Sequence, residues 1–423
     1  MGIIEDFIGR YRREYDFYDQ AARLVAQQLE ARLQTAGVRA MITFRAKAVA
    51  RLEPKVRDRA GRKTYATVDD IYSDIPDLAG ARVALYFPGQ RDQVDLAIND
   101  LFVVMHSKAF PDETQPAAYS KRFSGYSAIH YRVRLRETAL VDSQKRYAEA
   151  RVEVQVASVL MHAWAEVEHD LVYKPYQGRL SEDEYAVLDE LNGMVMAGEI
   201  ALERLQRAGD VRVAARGRSL ANHYELAAHL LSALRELADA STLKTGLGRV
   251  DLLYELLARL GLATPEAVGQ YLTGIHSDLE RRPIADQIVD QILSEDADRY
   301  ALYEQLRAAR PATDVSPDAA EPIAPDVHEA MGEFLKAWID LEQLLRDTAQ
   351  VPVSHSGQIV STIRLLNSFK NLDSQTRSQY ESLRRMRNQL VHGIEIPDPA
   401  DLREAARQLR AVAARIGGGP SPA

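Results

Sequence analysis

The chain has 423 residues, 46% hydrophobic and 27% charged, which is the balance of a water-soluble globular protein with two or three domains. A net charge of −8 excludes a uniformly basic nucleic-acid-binding surface, though not a local basic patch, and the absence of cysteine excludes disulfides, thiolate metal sites and a thiol nucleophile. No stretch reaches the roughly 18 apolar residues of a membrane span, and the charged start MGIIEDFIGRYRREYD lacks a signal-peptide core, so a cytoplasmic protein with no membrane partner is expected.

Residues 3–36 place Ile4, Phe7, Ile8, Tyr11, Leu24, Val25, Leu29 and Leu33 at helical spacing, with Gly37 as a stop signal. From about 38 to 175 the texture changes. Runs rich in β-branched and aromatic residues (VRAMITF, RVALYF, LFVVMH, IHYRVRL and RVEVQV) alternate with helical stretches, the pattern of a mixed sheet flanked by helices. Beyond Leu180 amphipathic helices take over. One has a clear start at Thr264-Pro265-Glu266. The Pro-, Ala- and acid-rich stretch PATDVSPDAAEPIAPD (311–326) reads as a linker, residues 327–416 as a second helical block, and GGGPSPA as a frayed tail. The expected fold class is therefore α+β, a mixed sheet with helices followed by an all-α C-terminal half.

Within the sheet region several polar residues sit where a solvated face does not explain them. FRAKAVARLEPK brings Arg45, Lys47, Arg51 and Lys55 to a strand-to-helix junction, where the unpaired N–H groups of the helix start also favour phosphate. Asp77 precedes Gly80 and the strand carrying Arg82, and Glu153 lies between valines in RVEVQV. An acid there is costly unless it faces an open surface or is paired. Two carboxylates at one sheet edge are an ordinary way to hold Mg²⁺ against phosphate oxygens. The bland reading is that Glu153 pairs with Arg151 or Arg134. His162, Glu166 and His169 fall near one face of the following helix, a conceivable metal site against commoner packing and capping roles. KRFSGYSAIHY reads by itself as a hairpin with a packed tyrosine.

Together FRAKAVARLEPK, PDLAGARV, FSGYSAIHY and VEVQVASVLMHAWAEVEHDLVYK, in that order, resemble the successive motifs of RelA/SpoT-type alarmone synthetase domains. The resemblance implies a nucleotidyltransferase-like fold and transfer of pyrophosphate from ATP to the 3′-hydroxyl of GDP or GTP, giving (p)ppGpp. It implies that Arg45, Lys47 and Lys55 hold the ATP phosphates and that Arg45 and Arg82 sandwich the adenine. Asp77 and Glu153 would bind Mg²⁺, with Glu153 also orienting or deprotonating the attacking hydroxyl. Lys121 and Arg122 would meet phosphates, Tyr126 would stack on the acceptor base, His130 would support its loop, and Gln155 would lie beside Glu153. The family usually has serine where this chain has Arg51. Nothing in residues 1–37 matches the family's metal-dependent hydrolase, so no alarmone hydrolysis is expected.

In the last block, SLRRMRNQLVHGIEIPDP carries Arg387 and His392 and resembles the Arg-x4–6-His motif of HEPN-type helical domains, some of which are RNases. On a regular helix those two side chains point about 140° apart, so a shared site needs a distorted helix end or a partner chain. The alternative is a plain helical bundle. The expected domains are 1–210 (pyrophosphokinase with its N-terminal helix), 211–310 (helical accessory region), 311–326 (linker) and 327–417 (helical, HEPN-like). A second functional reading moves the pyrophosphate to the 3′ end of tRNA, with Arg57, Arg59, Arg62 and Lys63 as a basic patch. The helical half would then be a fused toxin–antitoxin or phage-defence regulator. A third makes the last block an RNase and the first domain a nucleotide sensor. A protein trigger and a homo-oligomer remain open.

Overall fold

The computed structural model describes residues 2–111, 123, 126–172, 180–213, 215, 218–237, 246–272, 275, 282–296, 298–310, 325–348, 374–391 and 397–417. The chain divides into two compact units, one made chiefly of Met1–Val213 and the other of the chain from Ala214 on.

The first unit is built on a five-stranded mixed sheet of order β1-β2-β5-β4-β3. Its elements run α1 (Ile3–Thr35), β1 (Ala40–Ala46), α2 (Val49–Ala60), α3 (Val68–Asp74), β2 (Ala79–Leu85), α4 (Arg91–Leu101), β3 (Phe102–Phe110), β4 (Ala128–Leu135), β5 (Val152–Ser158), α5 (Val159–Val172) and α6 (Glu182–Val213). Only β2 and β5 pair in parallel. All five strand runs read from the sequence are strands, and the first helix ends where Gly37 takes a φ of 73°.

The alternation of the strands decides what each face does. Ala79, Ala81, Val83 and Leu85 of β2, and Val152, Val154 and Val156 of β5, point into a core completed by Ala21, Ala22, Val25, Leu29 and Leu33 of α1 and by Val94 and Ile98 of α4. Leu29 is fully buried, so Leu29→Ala would cost about 2–5 kcal/mol. The N-terminal half of α1 serves a second core, where Phe7, Ile8 and Tyr11 meet Leu52, Val56, Ile71 and Ile75. A capping box fixes the start of α3, with Thr67 accepting from the Asp70 N–H and Asp70 from the Thr67 N–H at 2.8 Å. On the opposite face of the sheet, α5 covers only one end, where Met161 and Trp164 pack on Ala128 and Ala157. The rest of that face carries polar side chains, exposed at Thr43 and Arg45 and half-buried at Arg82, His130, Glu153 and Gln155.

Among its described residues, the second unit's regular elements are all helices: α7 (His223–Leu237), α8 (Val250–Arg259), α9 (Pro265–Leu272), α10 (Ile284–Leu293), α11 (Asp298–Ala309), α12 (Pro325–Thr348), α13 (Ser374–Val391) and α14 (Pro399–Gly417). The start read at Thr264-Pro265-Glu266 is a capped one, Thr264 Oγ1 accepting from the Ala267 N–H at 3.2 Å. In the terminal bundle Trp338 stacks on Tyr380, ring centroids 5.2 Å apart. Most of the stretch read as a linker, and the tail from 418, lie outside the described residues.

Candidate active site

The open face of the sheet holds its polar residues in two cross-strand rows. Register pairs Arg45 with Gly80, Gly80 with Glu153 and Glu153 with Arg132. One step along, Thr43 pairs with Arg82, Arg82 with Gln155 and Gln155 with His130. Glu153 and Gln155 thus share a face, as a regular strand requires. Gly80 leaves the space between Arg45 and Glu153 free of any side chain.

Beside this face, Lys47 follows β1 and Asp77 precedes β2. The two segments are tied by the Lys47 N–H donating to the Leu78 carbonyl at 2.9 Å and by Tyr11 Oη donating to the Lys47 carbonyl at 2.7 Å. That arrangement brings Lys47 Nζ to 2.5 Å from Asp77 Oδ2, and Lys55 Nζ of α2 to 2.8 Å from the same oxygen and 2.9 Å from Oδ1. Burial alone would raise the Asp77 carboxyl, but the two ammonium groups outweigh it and hold it at about 2. Asp77 is therefore ionised at neutral pH, and Lys47 and Lys55 are pre-gathered as a cationic pair. Arg45 stands exposed on β1, and Arg51 is exposed on α2.

At the centre, Arg82 Nε donates to Gln155 Oε1 at 3.3 Å, and its guanidinium pairs with Glu166 of α5. Glu153 meets His130 rather than Arg151 or Arg134: His130 Nδ1 lies 3.0 Å from Glu153 Oε1. His130 Nε2 lies 3.2 Å from Tyr126 Oη, so the imidazole bridges the strand carboxylate and the tyrosine. Phe110 packs its ring 4.6 Å from the His130 ring and 6.0 Å from that of Tyr126. Burial pushes the Tyr126 phenol up to about 12, so it stays neutral. Lys121, Arg122 and Gly125 lie outside the described residues.

The residues expected for substrate therefore fall into two groups, Lys47–Lys55–Asp77 at the β1–α2 junction and Arg82–Glu153–Gln155–His130–Tyr126 on the sheet. Glu166, read from the sequence only as a conceivable metal ligand, is the partner of Arg82. Two neighbours were not read at all: Phe110 backs His130, and Arg132 faces Glu153 across the strands. The alternation His130, Arg132, Arg134 along IHYRVRL carried the last signal.

Two alternatives weighed from the sequence lose support. His162, Glu166 and His169 do not converge. His162 is buried with Nε2 3.2 Å from the Val83 carbonyl, and burial lowers its pKa to about 4; Glu166 pairs with Arg82; His169 lies 3.3 Å from Asp170. Among the described residues no three His, Asp or Glu side chains are gathered as a metal site. The basic patch is also neutralised: Arg57 pairs with Glu5 and Glu53, Arg59 and Lys63 with Asp74, and Arg62 with Asp58. In the second unit Arg387 is 6% exposed and pairs with Asp290 of α10, while His392 lies outside the described residues. No helix among the described residues is long and apolar enough to cross a membrane.

Against solved structures, the chain is similar to small alarmone synthetase 1 from Bacillus subtilis bound to pppGpp, at 21% identity over 47% of this chain and 97% of that one, TM-score 0.36. It is also similar to a GTP pyrophosphokinase family protein from Streptococcus pneumoniae, at 20% identity over 47% and 94%, TM-score 0.36. For small alarmone synthetase 2 from B. subtilis the figures are 15%, 48%, 98% and 0.33. No curated protein matches the chain. The family model described as the region found in RelA / SpoT proteins matches residues 44–178, a span that contains every element of the open face from Arg45 to Glu166. The chain carries a RelA/SpoT-type domain.

Proposed function

We propose that the first unit transfers the β,γ-pyrophosphate of ATP to the 3′-hydroxyl of GDP or GTP. The observation that carries this reading is the pre-gathered pair Lys47 and Lys55 on Asp77, beside an open sheet face bearing Arg45, Arg82 and Glu153, all within the RelA/SpoT-type region. The incoming oxygen bonds to the β-phosphorus as the bond from that phosphorus to the bridging α–β oxygen breaks. AMP leaves, and the hydroxyl proton passes to the Glu153 carboxylate. Charge spreads over the transferred group, so fixed cations and positioning supply most of the rate.

In this scheme the ATP phosphates take over Lys47 and Lys55 from Asp77, and Arg45 and Arg82 hold the adenosine end. Asp77 and Glu153 are hard oxygen donors that fit Mg²⁺, with Asp77 kept ionised by its surroundings. Bound there, Mg²⁺ would neutralise phosphate charge. Tyr126 is the stacking platform for the acceptor base, held through its hydroxyl by His130, and Gln155 stands beside Glu153 to meet the ribose. Lys121 and Arg122, close by in sequence, would meet acceptor phosphates.

The tRNA 3′ end offers the same ribose hydroxyl. Neutralisation of Arg57, Arg59, Arg62 and Lys63 by neighbouring acids favours the free nucleotide. Burial of Arg387 against Asp290 likewise argues for a structural role over an RNase one. The test is incubation with γ-labelled ATP, Mg²⁺ and either GDP/GTP or deacylated tRNA. Label in GDP/GTP, lost in Glu153→Gln, supports the reading. Label in tRNA alone overturns the acceptor, and label in neither overturns the transferase.

A further inference from the structure

Tyr126 and Phe123 each meet α6, the last element of the first unit, at points about one helical turn apart. At the first point, Tyr126 packs against the cluster that includes Leu188 of α6 together with Trp164 and Met161 of α5. At the second, the ring of Phe123 lies directly over Gly193. A Cβ built on Gly193 would stand 2.6 Å from both Cε2 and Cζ of that ring, well inside any real contact. Between the two points the Phe123 N–H donates to Asp189 Oδ1 at 3.4 Å, and Asp189 is buried. Gly193 lies inside a helix, where glycine is less favourable than alanine by about 1 kcal/mol. Its helical conformation does not call for glycine. The close approach of Phe123 does.

We infer that α6 is a positioning element for the acceptor. The notch at Gly193 seats Phe123, three residues before Tyr126, so that the stacking platform keeps its contact with His130 and, through it, with Glu153. This rests on the reading of Tyr126 as the acceptor platform. It adds Phe123 and Gly193 as positioning residues and makes the helix that leads out of the catalytic unit part of its acceptor side.

Helix propensity and seating pull in opposite directions, which separates this role from a merely structural one. Gly193→Ala improves the helix and fills the notch. In the full-length chain, Gly193→Ala is expected to melt at or above the wild-type temperature. It should also raise the acceptor KM about tenfold, the equivalent of about 1.4 kcal/mol, with the KM for ATP unchanged. Phe123→Ala is expected to raise the acceptor KM similarly, and adding Gly193→Ala to Phe123→Ala to change nothing more, because the clashing ring is gone. An unchanged acceptor KM in Gly193→Ala, or additive effects in the double variant, overturns the inference. Those outcomes presuppose a wild-type enzyme that transfers to an acceptor. A wild type that transfers to none overturns the reading of the site instead.

Discussion

Removing the Asp77 carboxylate tests the cation pair directly. Asp77→Asn keeps the shape but leaves Lys47 and Lys55 side by side with no counter-charge, at side-chain exposures of 22% and 31%. The carboxyl falls from its ordinary 3.8 to about 2 in the fold, which at about 1.4 kcal/mol per tenfold is worth about 2 kcal/mol of stability at neutral pH. For a unit of this size that is a fall of about 4–8 °C in melting temperature. The group is more acidic folded than unfolded, so its stabilisation is complete above about pH 5 and is lost as pH falls through 3.8 toward 2, about half of it by pH 3. Urea unfolding of wild type and variant from pH 7 to pH 3 measures this. The stability gap should narrow by about half over that range. A gap that is absent at pH 7, or the same at both ends, refutes the argument.

Glu153→Gln should retain ATP binding by equilibrium titration while transfer falls by about 10²–10⁴, the range of a lost general base. Tyr126→Ala should raise the acceptor KM by about 5- to 150-fold, corresponding to about 1–3 kcal/mol of lost stacking, with little change in the KM for ATP; Tyr126→Phe should restore most of it. Arg387→Ala strips one cation from Asp290, which also pairs with Arg282, and should lower the stability of the helical unit by about 3 kcal/mol in urea unfolding while pyrophosphate transfer is untouched.

What was legible in the sequence followed local pattern. The strands announced themselves through alternating β-branched residues, and Glu153 stood out because an acid between valines in RVEVQV had to face the other way. The order of motifs then placed Arg45, Asp77, Arg82 and Tyr126 in one region. Pairings between distant segments were not legible. Nothing local ties Lys55 to Asp77 or Arg82 to Glu166; both depend on how α2 and α5 lie against the sheet. Phe110 joined the acceptor side only through the β3–β4 pairing. Arg57, Arg59, Arg62 and Lys63 read as a bare patch because their acids came from α1, α2 and α3, although Glu53 and Arg57, a helical turn apart, were a visible hint. Arg387 looked like a catalytic motif residue because its partner Asp290 lies on a different helix far up the chain.

The central claim is that ATP is cut between its α- and β-phosphates on the open face and that the pyrophosphate moves intact to a nucleotide. Product stoichiometry reads this most directly. With ATP, GTP and Mg²⁺, chromatography with mass detection should find AMP and a guanosine nucleotide carrying two added phosphates in equal amounts, both lost in Glu153→Gln. ADP as the product, or AMP formed with no guanosine nucleotide gaining a pyrophosphate, would contradict it.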